Sequence, residues 1–243
     1  MSASSPSPTF RMAEGHDVES GSPRSQTSHA YEVIRGDIVS GVHEPGKKLK
    51  IQDLAVELKV SPGAVREALS RLVPEQLVVS RDQRGFVVAP LSIADLQDLT
   101  DLRCSIEAIA LRRSVERADV NWEAGLLAAA HRLRSTVQLL PGEGLRFNPE
   151  WVASHAAFHA ALVNACGSPR LLALHGQLYE QSERYRGLSA HADTERKVTD
   201  EHQAIVDLAL ARDADGLVAA VLRHIRKTTE LIVQSARKPD HDK

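Results

Sequence analysis

The sequence predicts a mainly α-helical protein with two folded parts and one short β-hairpin. Ala, Leu, Val and Arg are abundant, whereas aromatic residues make up only 4% of the 243 residues, a composition that favours helices over sheets. Apolar residues recur with helical spacing over most of the chain. Turn residues interrupt this pattern at 141–144, 167–169 and 212–215, so the second part is expected to contain several helices.

The predicted organisation places the two folded parts between two tails. Residues 1–28 are rich in Ser, Pro and Gly and have few large apolar residues, so we expect a disordered tail. Residues 29–91 form the first folded part, residues 92–235 the second, and residues 236–243 a short tail.

The chain is expected to be a cytoplasmic protein that does not enter a membrane. No apolar run approaches the roughly 20 residues needed to cross a bilayer, and the N-terminal stretch lacks a secretion signal pattern. The two cysteines, Cys104 and Cys166, lie in helical patterns and fit a reducing compartment, where we expect small core residues.

The first folded part is predicted to contain three helices. The first helix has an apolar stripe formed by Val33, Ile34, Ile38 and Val42. IQDLAVELKV, residues 51–60, follows as a short second helix. The third helix, SPGAVREALSRLV, has a well-defined start because Ser61 can cap its free amides and Pro62 occupies the first helical position.

The third helix is predicted to have one buried and one exposed face. Val65, Leu69 and Leu72 lie on the buried face, which leaves Ser61, Gly63, Arg66 and Ser70 exposed. LVVS and FVVA then alternate as two strands around a polar RDQRG loop. A helix-turn-helix followed by such a wing places one helix in the DNA major groove, although the pattern also suits a small packed domain without DNA binding.

The motifs of this segment resemble one bacterial family closely. PGKKL, the LA of the second helix, SPGAVREALSRL and RGFVV occur in the order and spacing of the winged helix-turn-helix of GntR-family transcription regulators. The resemblance implies DNA contacts from the arginine of VREAL, the residues that open the recognition helix and the glycine at the wing tip: Arg66, Ser61, Gly63 and Gly85. Pro62 and Gln52 stand where some members have arginine.

The charge of the first part predicts modest DNA affinity for one copy. Residues 29–91 contain nine Lys and Arg against eight Asp and Glu, so phosphate attraction is weak. Arg66 can bind guanine through two hydrogen bonds, worth about 1–3 kcal/mol of discrimination. Candidate phosphate contacts are Lys47, Lys48, Lys50, Arg71, Arg81 and Arg84. We therefore expect a homodimer on palindromic double-stranded operator DNA.

Four histidines are predicted to point into the second part. In WVASHAAFHAAL, His155 and His159 share a helical stripe with apolar residues. His202 and His224 lie on the apolar stripes of two later helices. A single inward histidine is usually a hydrogen-bonded core residue, but four on three helices favour a divalent transition metal, because buried imidazoles without partners are costly.

A second resemblance covers residues 92–235. The motifs FH.AL, CGSPRLL, RYR and EH.AI resemble the C-terminal FCD domain of the FadR-type branch of the GntR family, and CGS followed by LYEQSERYR resembles its carbon-starvation-induced regulator subgroup. The resemblance implies an antiparallel helical bundle that dimerises and a metal held by one aspartate and three histidines. The histidines match His159, His202 and His224, and His155 occupies the aspartate position. The site would then have four nitrogen ligands or only three protein ligands. The loss of a carboxylate favours zinc, nickel or copper over manganese or calcium, and we expect zinc or nickel.

An effector is expected beside this metal. Arg103 lies on an inward stripe, and a buried guanidinium needs an anion; Glu107, one turn later, is one candidate. The resemblance implies instead that Arg103 binds the carboxylate of a small organic acid. Further candidates for effector binding are Tyr179, Arg184 and Arg186.

Other functions fit the sequence less well. A metal-dependent enzyme is not expected, because the residues between His155 and His159 supply no general base and Glu201 is predicted to face solvent or the rim of the site. A metal sensor is an alternative in which the metal itself is the signal. Binding of an acyl-CoA would need an apolar pocket, and the inward histidines argue against such a pocket.

Overall fold

The computed structural model describes residues 25–81, 85–140, 146–186 and 196–237. Within these ranges the chain is mainly α-helical, as predicted. The N-terminal unit, which we call the winged domain, contains α1 (Gln26–Val39), β1 (Lys48–Leu49), α2 (Ile51–Leu58), α3 (Pro62–Leu72), β2 (Val78–Arg81) and β3 (Gly85–Val88).

The ends of α1 differ from the prediction. The Ser25 side chain accepts a hydrogen bond from the Ser28 amide, so α1 begins at Gln26 and residues 26–28 belong to a helix rather than to the predicted tail. The helix ends at Val39, so Val42 falls outside it and is 62% exposed. The predicted apolar stripe is therefore too long at its C-terminal end.

The start of α3 agrees with the prediction. Ser61 Oγ accepts a hydrogen bond from the Ala64 amide at 3.2 Å, and Pro62 is the first helical residue. The residues predicted to face the core, Val65, Leu69 and Leu72, are fully buried. Their burial fixes which residues of the recognition helix remain exposed.

The wing is a three-stranded antiparallel sheet rather than a hairpin alone. The strand order is β1-β3-β2, with Leu49 opposite Phe86 and Ser80 also opposite Phe86. The sequence did not predict β1, because two residues are too few to show an alternating pattern. Gly85 begins β3 with a φ of +81°, a conformation that favours glycine.

The C-terminal unit, which we call the helical domain, is a bundle of six long helices within the described ranges. Its elements are α4 (Ile93–Arg117), α5 (Val120–Ser135), β4 (Leu139–Leu140), β5 (Arg146–Phe147), α6 (Pro149–Val163), a 3-10 turn (Asn164–Cys166), α7 (Pro169–Arg186), α8 (Val198–Leu210) and α9 (Ala214–Arg237). Cys104 and Cys166 are buried free thiols. None of the helices in these ranges is long and apolar enough to span a membrane.

Helix α7 joins the two domains through a set of polar contacts. Arg184 donates to the carbonyls of Gln76, at 3.2 Å, and Ala89, at 2.7 Å. Gln181 donates to the carbonyl of Glu75 at 2.8 Å. An ion pair between Arg35 of α1 and Glu180 of α7 completes this junction.

Candidate metal centre

The position of the first two histidines follows from the start of α6. Asn148 caps this helix and Pro149 is its first residue, which fixes the helical register. His155 and His159, four residues apart, therefore lie on one face with Trp151 and Phe158, and all four side chains are buried. Trp151 stacks on His155 with ring centroids 4.7 Å apart.

Helices α8 and α9 bring the other two histidines to the same place. His202 of α8 and His224 of α9 are buried, and one ring nitrogen from each of the four histidines lies within 4.8 Å of the corresponding atoms of the others. We call this set, His155, His159, His202 and His224, the histidine cluster. The structure thus brings together all four residues proposed from the sequence.

The donor atoms of the histidine cluster suit a divalent transition metal. The Nε2 atoms of His155 and His159 are 3.2 Å apart, close to the separation of about 3.3 Å between two nitrogens that each lie about 2.05 Å from a tetrahedral zinc ion. His202 Nε2 is buried without a hydrogen-bond partner among the described residues. Such nitrogens are costly to bury unless they bind something.

Burial keeps these imidazoles neutral, which is the form that binds metals. Desolvation lowers the pKa of His155 and of His159 well below the ordinary value, and the neighbouring cations and histidines act in the same direction. Desolvation lowers the pKa of His202 to about 2. It also lowers the pKa of His224, although a hydrogen bond from this ring to Glu201 opposes the shift.

Two histidines of the cluster are oriented by groups behind them. His155 Nδ1 lies 2.8 Å from the hydroxyl of Tyr179. His224 Nδ1 lies 2.7 Å from Glu201 Oε2, and the Glu201 side chain is partly exposed, so it lies at the rim of the site, one of the two places that the sequence predicted. The side chain of Glu201 points about 100° away from that of His202 around α8, and on that side of α8 it meets His224 of α9.

Arg103 lies beside the histidine cluster, and none of the carboxylates that the structure describes pairs with it. Its Nη1 donates to Ser182 Oγ at 2.6 Å, its guanidinium lies 4.8 Å from the centre of the Tyr179 ring, and its Nε has no partner among the described residues. Glu107, the alternative partner from the sequence, lies 3.0 Å from His175 Nε2 instead. The buried guanidinium therefore remains available to an anion.

A small cavity of about 20 Å³ lies between Arg103 and the histidine cluster. Its lining includes His159 and His224, together with Ser182 and Arg186 of α7. Arg186 pairs with Glu183 at 2.8 Å. The sequence had not indicated Ser182, because a serine on a helix carries no distinctive pattern.

A larger cavity of about 420 Å³ lies between α5 and α8. His202 and Trp151 border it, together with the exposed side chains of His131 and Arg134. Arg134 bonds Gln203 there. The guanidinium at the larger cavity is therefore exposed, whereas the one at the smaller cavity, Arg103, is buried.

The remaining predicted site residues lie in or next to the winged domain. Arg184 belongs to the domain junction and does not border the small cavity. Ser61, Gly63, Arg66 and Gly85 are exposed. Two further candidates are exposed but already paired with carboxylates, Lys50 with Asp53 and Arg71 with Glu67. Arg84 lies outside the described residues.

Comparisons with known proteins agree with both domains. Residues 26–88 match the family described as bacterial regulatory proteins, gntR family, and residues 98–227 match the FCD domain. The chain belongs to the GntR family, in its FCD branch. It is 38% identical to the HTH-type transcriptional regulator BphR of Paraburkholderia xenovorans over 92% of this chain and 91% of that protein. It is 32% identical to the HTH-type transcriptional repressor GlaR of Escherichia coli over 84% and 94%.

Solved structures share the fold of this GntR-family chain. Escherichia coli McbR/YncC superposes with a TM-score of 0.71 at 18% identity over 88% of this chain and 100% of that one. A GntR regulator from Rhodococcus sp. RHA1 superposes with a TM-score of 0.69 at 20% identity over 87% and 99%. The families and relatives are transcription regulators, so the expectation of a regulator rather than an enzyme is confirmed.

Proposed function

We propose that this GntR-family regulator is a homodimer that binds palindromic operator DNA and responds to a small carboxylic acid at a metal centre. The metal would be zinc or nickel, held by the histidine cluster. The observation that carries this proposal is a set of four buried histidines beside Arg103, a buried arginine that pairs with no carboxylate among the residues that the structure describes. The protein would act in the bacterial cytoplasm, on DNA of the nucleoid.

The exposed start of α3 would read the operator. Arg66 would contact base edges in the major groove, while Ser61 and Gly63 approach the DNA backbone. Arg71, Lys50 and Arg84 would contribute phosphate contacts, and Gly85 would allow the wing to approach the DNA closely. The near balance of charges over 29–91 supports a dimer, because two winged domains double the number of contacts.

The residues around the histidine cluster would each have a different role in binding the effector. When bound, the metal supplies a positive Lewis-acid centre that accepts a carboxylate oxygen. Arg103 would bind a second carboxylate, and Ser182 holds the guanidinium in place. Tyr179 would orient His155 through the contact with its Nδ1 atom, and Arg186 would form part of the rim of the cavity. An acid with two carboxylates fits this pair of cationic groups best.

The small volume of the cavity suggests how binding would be coupled to movement. A space of about 20 Å³ holds roughly one water molecule. An organic acid therefore requires the helices that line the cavity to separate. Because the acid binds only the opened arrangement, it would shift the equilibrium towards that arrangement.

Helix α7 would carry this movement to the winged domain. Ser182 and Arg186 face the cavity, whereas Gln181 and Arg184, on neighbouring positions of the same helix, hold the carbonyls of Glu75, Gln76 and Ala89. A shift of α7 would therefore move the winged domain relative to its dimer partner and change the fit to the operator. GlaR is named a repressor, and release of DNA by the acid would suit the same role here.

A second candidate function is a metal sensor in which the metal is the signal. If all four histidines bound the metal, they would complete a tetrahedral set and leave no open position for an effector, which favours this alternative. The two functions differ in what changes DNA binding. In the sensor, metal removal alone would change operator affinity, and organic acids would have no effect.

The test compares DNA binding in four states of the protein. A duplex selected from a random pool by the protein itself would be titrated with metal-free protein, zinc-loaded protein, and each of these with a panel of mono- and dicarboxylic acids. The proposal expects an acid to change operator affinity about 5- to 150-fold, only in the zinc-loaded protein. If no acid does so, the effector assignment is wrong.

A further inference from the structure

The histidine cluster lacks a negative charge among its own members. Four imidazoles are neutral ligands, so a divalent ion among them would keep its full charge within a buried site. Burial of an uncompensated charge is unfavourable. A carboxylate close behind one of the ligands would offset this cost.

Glu201 is the carboxylate in that position. Among the described residues it is the one carboxylate hydrogen-bonded to a member of the cluster, through Oε2 and His224 Nδ1 at 2.7 Å. This contact leaves His224 Nε2 to face the other histidines. A carboxylate on the distal ring nitrogen fixes the tautomer and increases the electron density of the ligand.

Arg196 holds Glu201 in place. Its Nε donates to Glu201 Oε1 at 2.8 Å and its Nη2 to Oε2 at 2.7 Å, so the carboxylate is gripped by both oxygens. The same guanidinium donates to Thr228 Oγ1 at 2.9 Å and to the carbonyl of His224 at 3.1 Å.

We infer that Glu201 and Arg196 form a positioning pair that sets the metal affinity of the histidine cluster by orienting His224 and supplying the missing negative charge. This inference rests on the proposed metal centre. It assigns functions to two residues outside the ligand set. Arg196 acts through Glu201, so its removal is expected to release the carboxylate rather than to expose a ligand.

The sign of the Arg196 effect distinguishes this arrangement from simple electrostatics. A guanidinium that acted only as a nearby positive charge would repel the metal, so its removal would tighten metal binding. A guanidinium that clamps Glu201 has the opposite effect, since its loss weakens binding. The two explanations therefore predict changes in opposite directions.

The experiment measures the dissociation constants for Zn²⁺ and Co²⁺ in the full chain by competition with a chelator. We expect Glu201→Gln to weaken both about 10- to 100-fold and Arg196→Gln to weaken them by a smaller factor. The double variant should be only slightly weaker than Glu201→Gln alone, because Arg196 acts mainly through that carboxylate and its direct bond to the carbonyl of His224 contributes less. Circular dichroism would check that each variant is folded, and the Co²⁺ visible spectrum would report a change in ligand geometry.

Glu123→Gln is the matched control. Glu123 is a partly exposed carboxylate held by Arg212 at 2.8 Å, but within the described residues it makes no hydrogen bond to the histidine cluster and does not line the small cavity. Metal affinity of this variant should stay within about twofold of the original chain. The inference is overturned if Glu201→Gln leaves affinity unchanged, if Glu123→Gln has an equal effect, or if Arg196→Gln tightens binding. Absence of metal binding in the original chain would instead overturn the proposed metal centre itself, and this inference with it.

Discussion

The two domains of this regulator use their functional residues in opposite environments. The winged domain presents Ser61, Gly63 and Arg66 to solvent, and their positions follow from one capped helix packed by its apolar face. The helical domain collects its functional groups in the interior, where each needs a partner. The positions of the exposed groups are set by the register of one helix, whereas the positions of the buried groups are set by contacts among several helices.

This contrast predicts different responses to mutation. A change at an exposed DNA contact should remove that contact and leave the fold intact. A change in the buried network should also affect its neighbours, because unpaired buried polar groups are costly. Four variants test this contrast, beginning with the largest expected effect.

His159→Ala should abolish metal binding. It removes a donor from the histidine cluster, and the other three donors come from three different helices. Elemental mass spectrometry of freshly purified, untagged protein should find about one equivalent of metal per chain in the original protein and almost none in the variant. His131→Ala is the control, since this exposed histidine lies outside the cluster. Equal metal content in all three proteins would exclude the cluster as the site.

Arg66→Ala should weaken operator binding about 5- to 150-fold per half-site, because a bidentate contact to guanine contributes about 1–3 kcal/mol. Metal content should stay unchanged. Fluorescence anisotropy with a selected duplex measures the affinity, and Arg223→Ala, an exposed change on α9, serves as the control. If both variants bind equally well, Arg66 is not a base contact.

Arg184→Ala should separate the effector response from DNA binding. The two bonds to Gln76 and Ala89 are lost, so α7 should transmit less of its movement to the winged domain. Operator affinity of the ligand-free protein should change less than threefold, while the change caused by an effective acid should fall several-fold. Arg170→Ala, at the exposed start of α7, should keep the full response. A full response in Arg184→Ala would contradict the role of the junction.

Ser61→Ala should have the smallest effect, a loss of about 1 kcal/mol of winged-domain stability from a missing N-cap. Urea unfolding, with amide hydrogen exchange of α3 as the probe, measures this loss of stability as a shift of the unfolding midpoint. Protection of α6 in the helical domain should not change. Loss of protection in both domains would show that they unfold as one unit.

The sequence was most informative where one helix determines the outcome. The Ser61 cap and the buried Val65, Leu69 and Leu72 follow from local pattern, and so do the inward positions of His155 and His159. The inward stripes also suggested that His202 and His224 join them. Helical periodicity predicts which way a side chain points, and four inward imidazoles can share one interior.

The sequence was least informative where partners come from distant segments. The bond from Glu201 to His224 was not predicted, because a helical wheel shows only the angle from His202, not the position of His224 on the next helix. The pairing of Glu107 with His175 rather than Arg103 also depends on how α4 and α7 pack. Arg184 reaches the winged domain, and this contact between domains leaves no periodic signal. Contacts of this kind become visible only when the packing of the helices and domains is known.

The most direct test of the account is the operator affinity of the zinc-loaded chain with and without each carboxylic acid of the panel, measured in parallel on Arg103→Ala and on metal-free protein. The account predicts that at least one acid changes the affinity of the zinc-loaded chain about 5- to 150-fold. It also predicts that this change is lost in Arg103→Ala and without metal. An acid response that persists without metal, or one that is unaffected by Arg103→Ala, would contradict it.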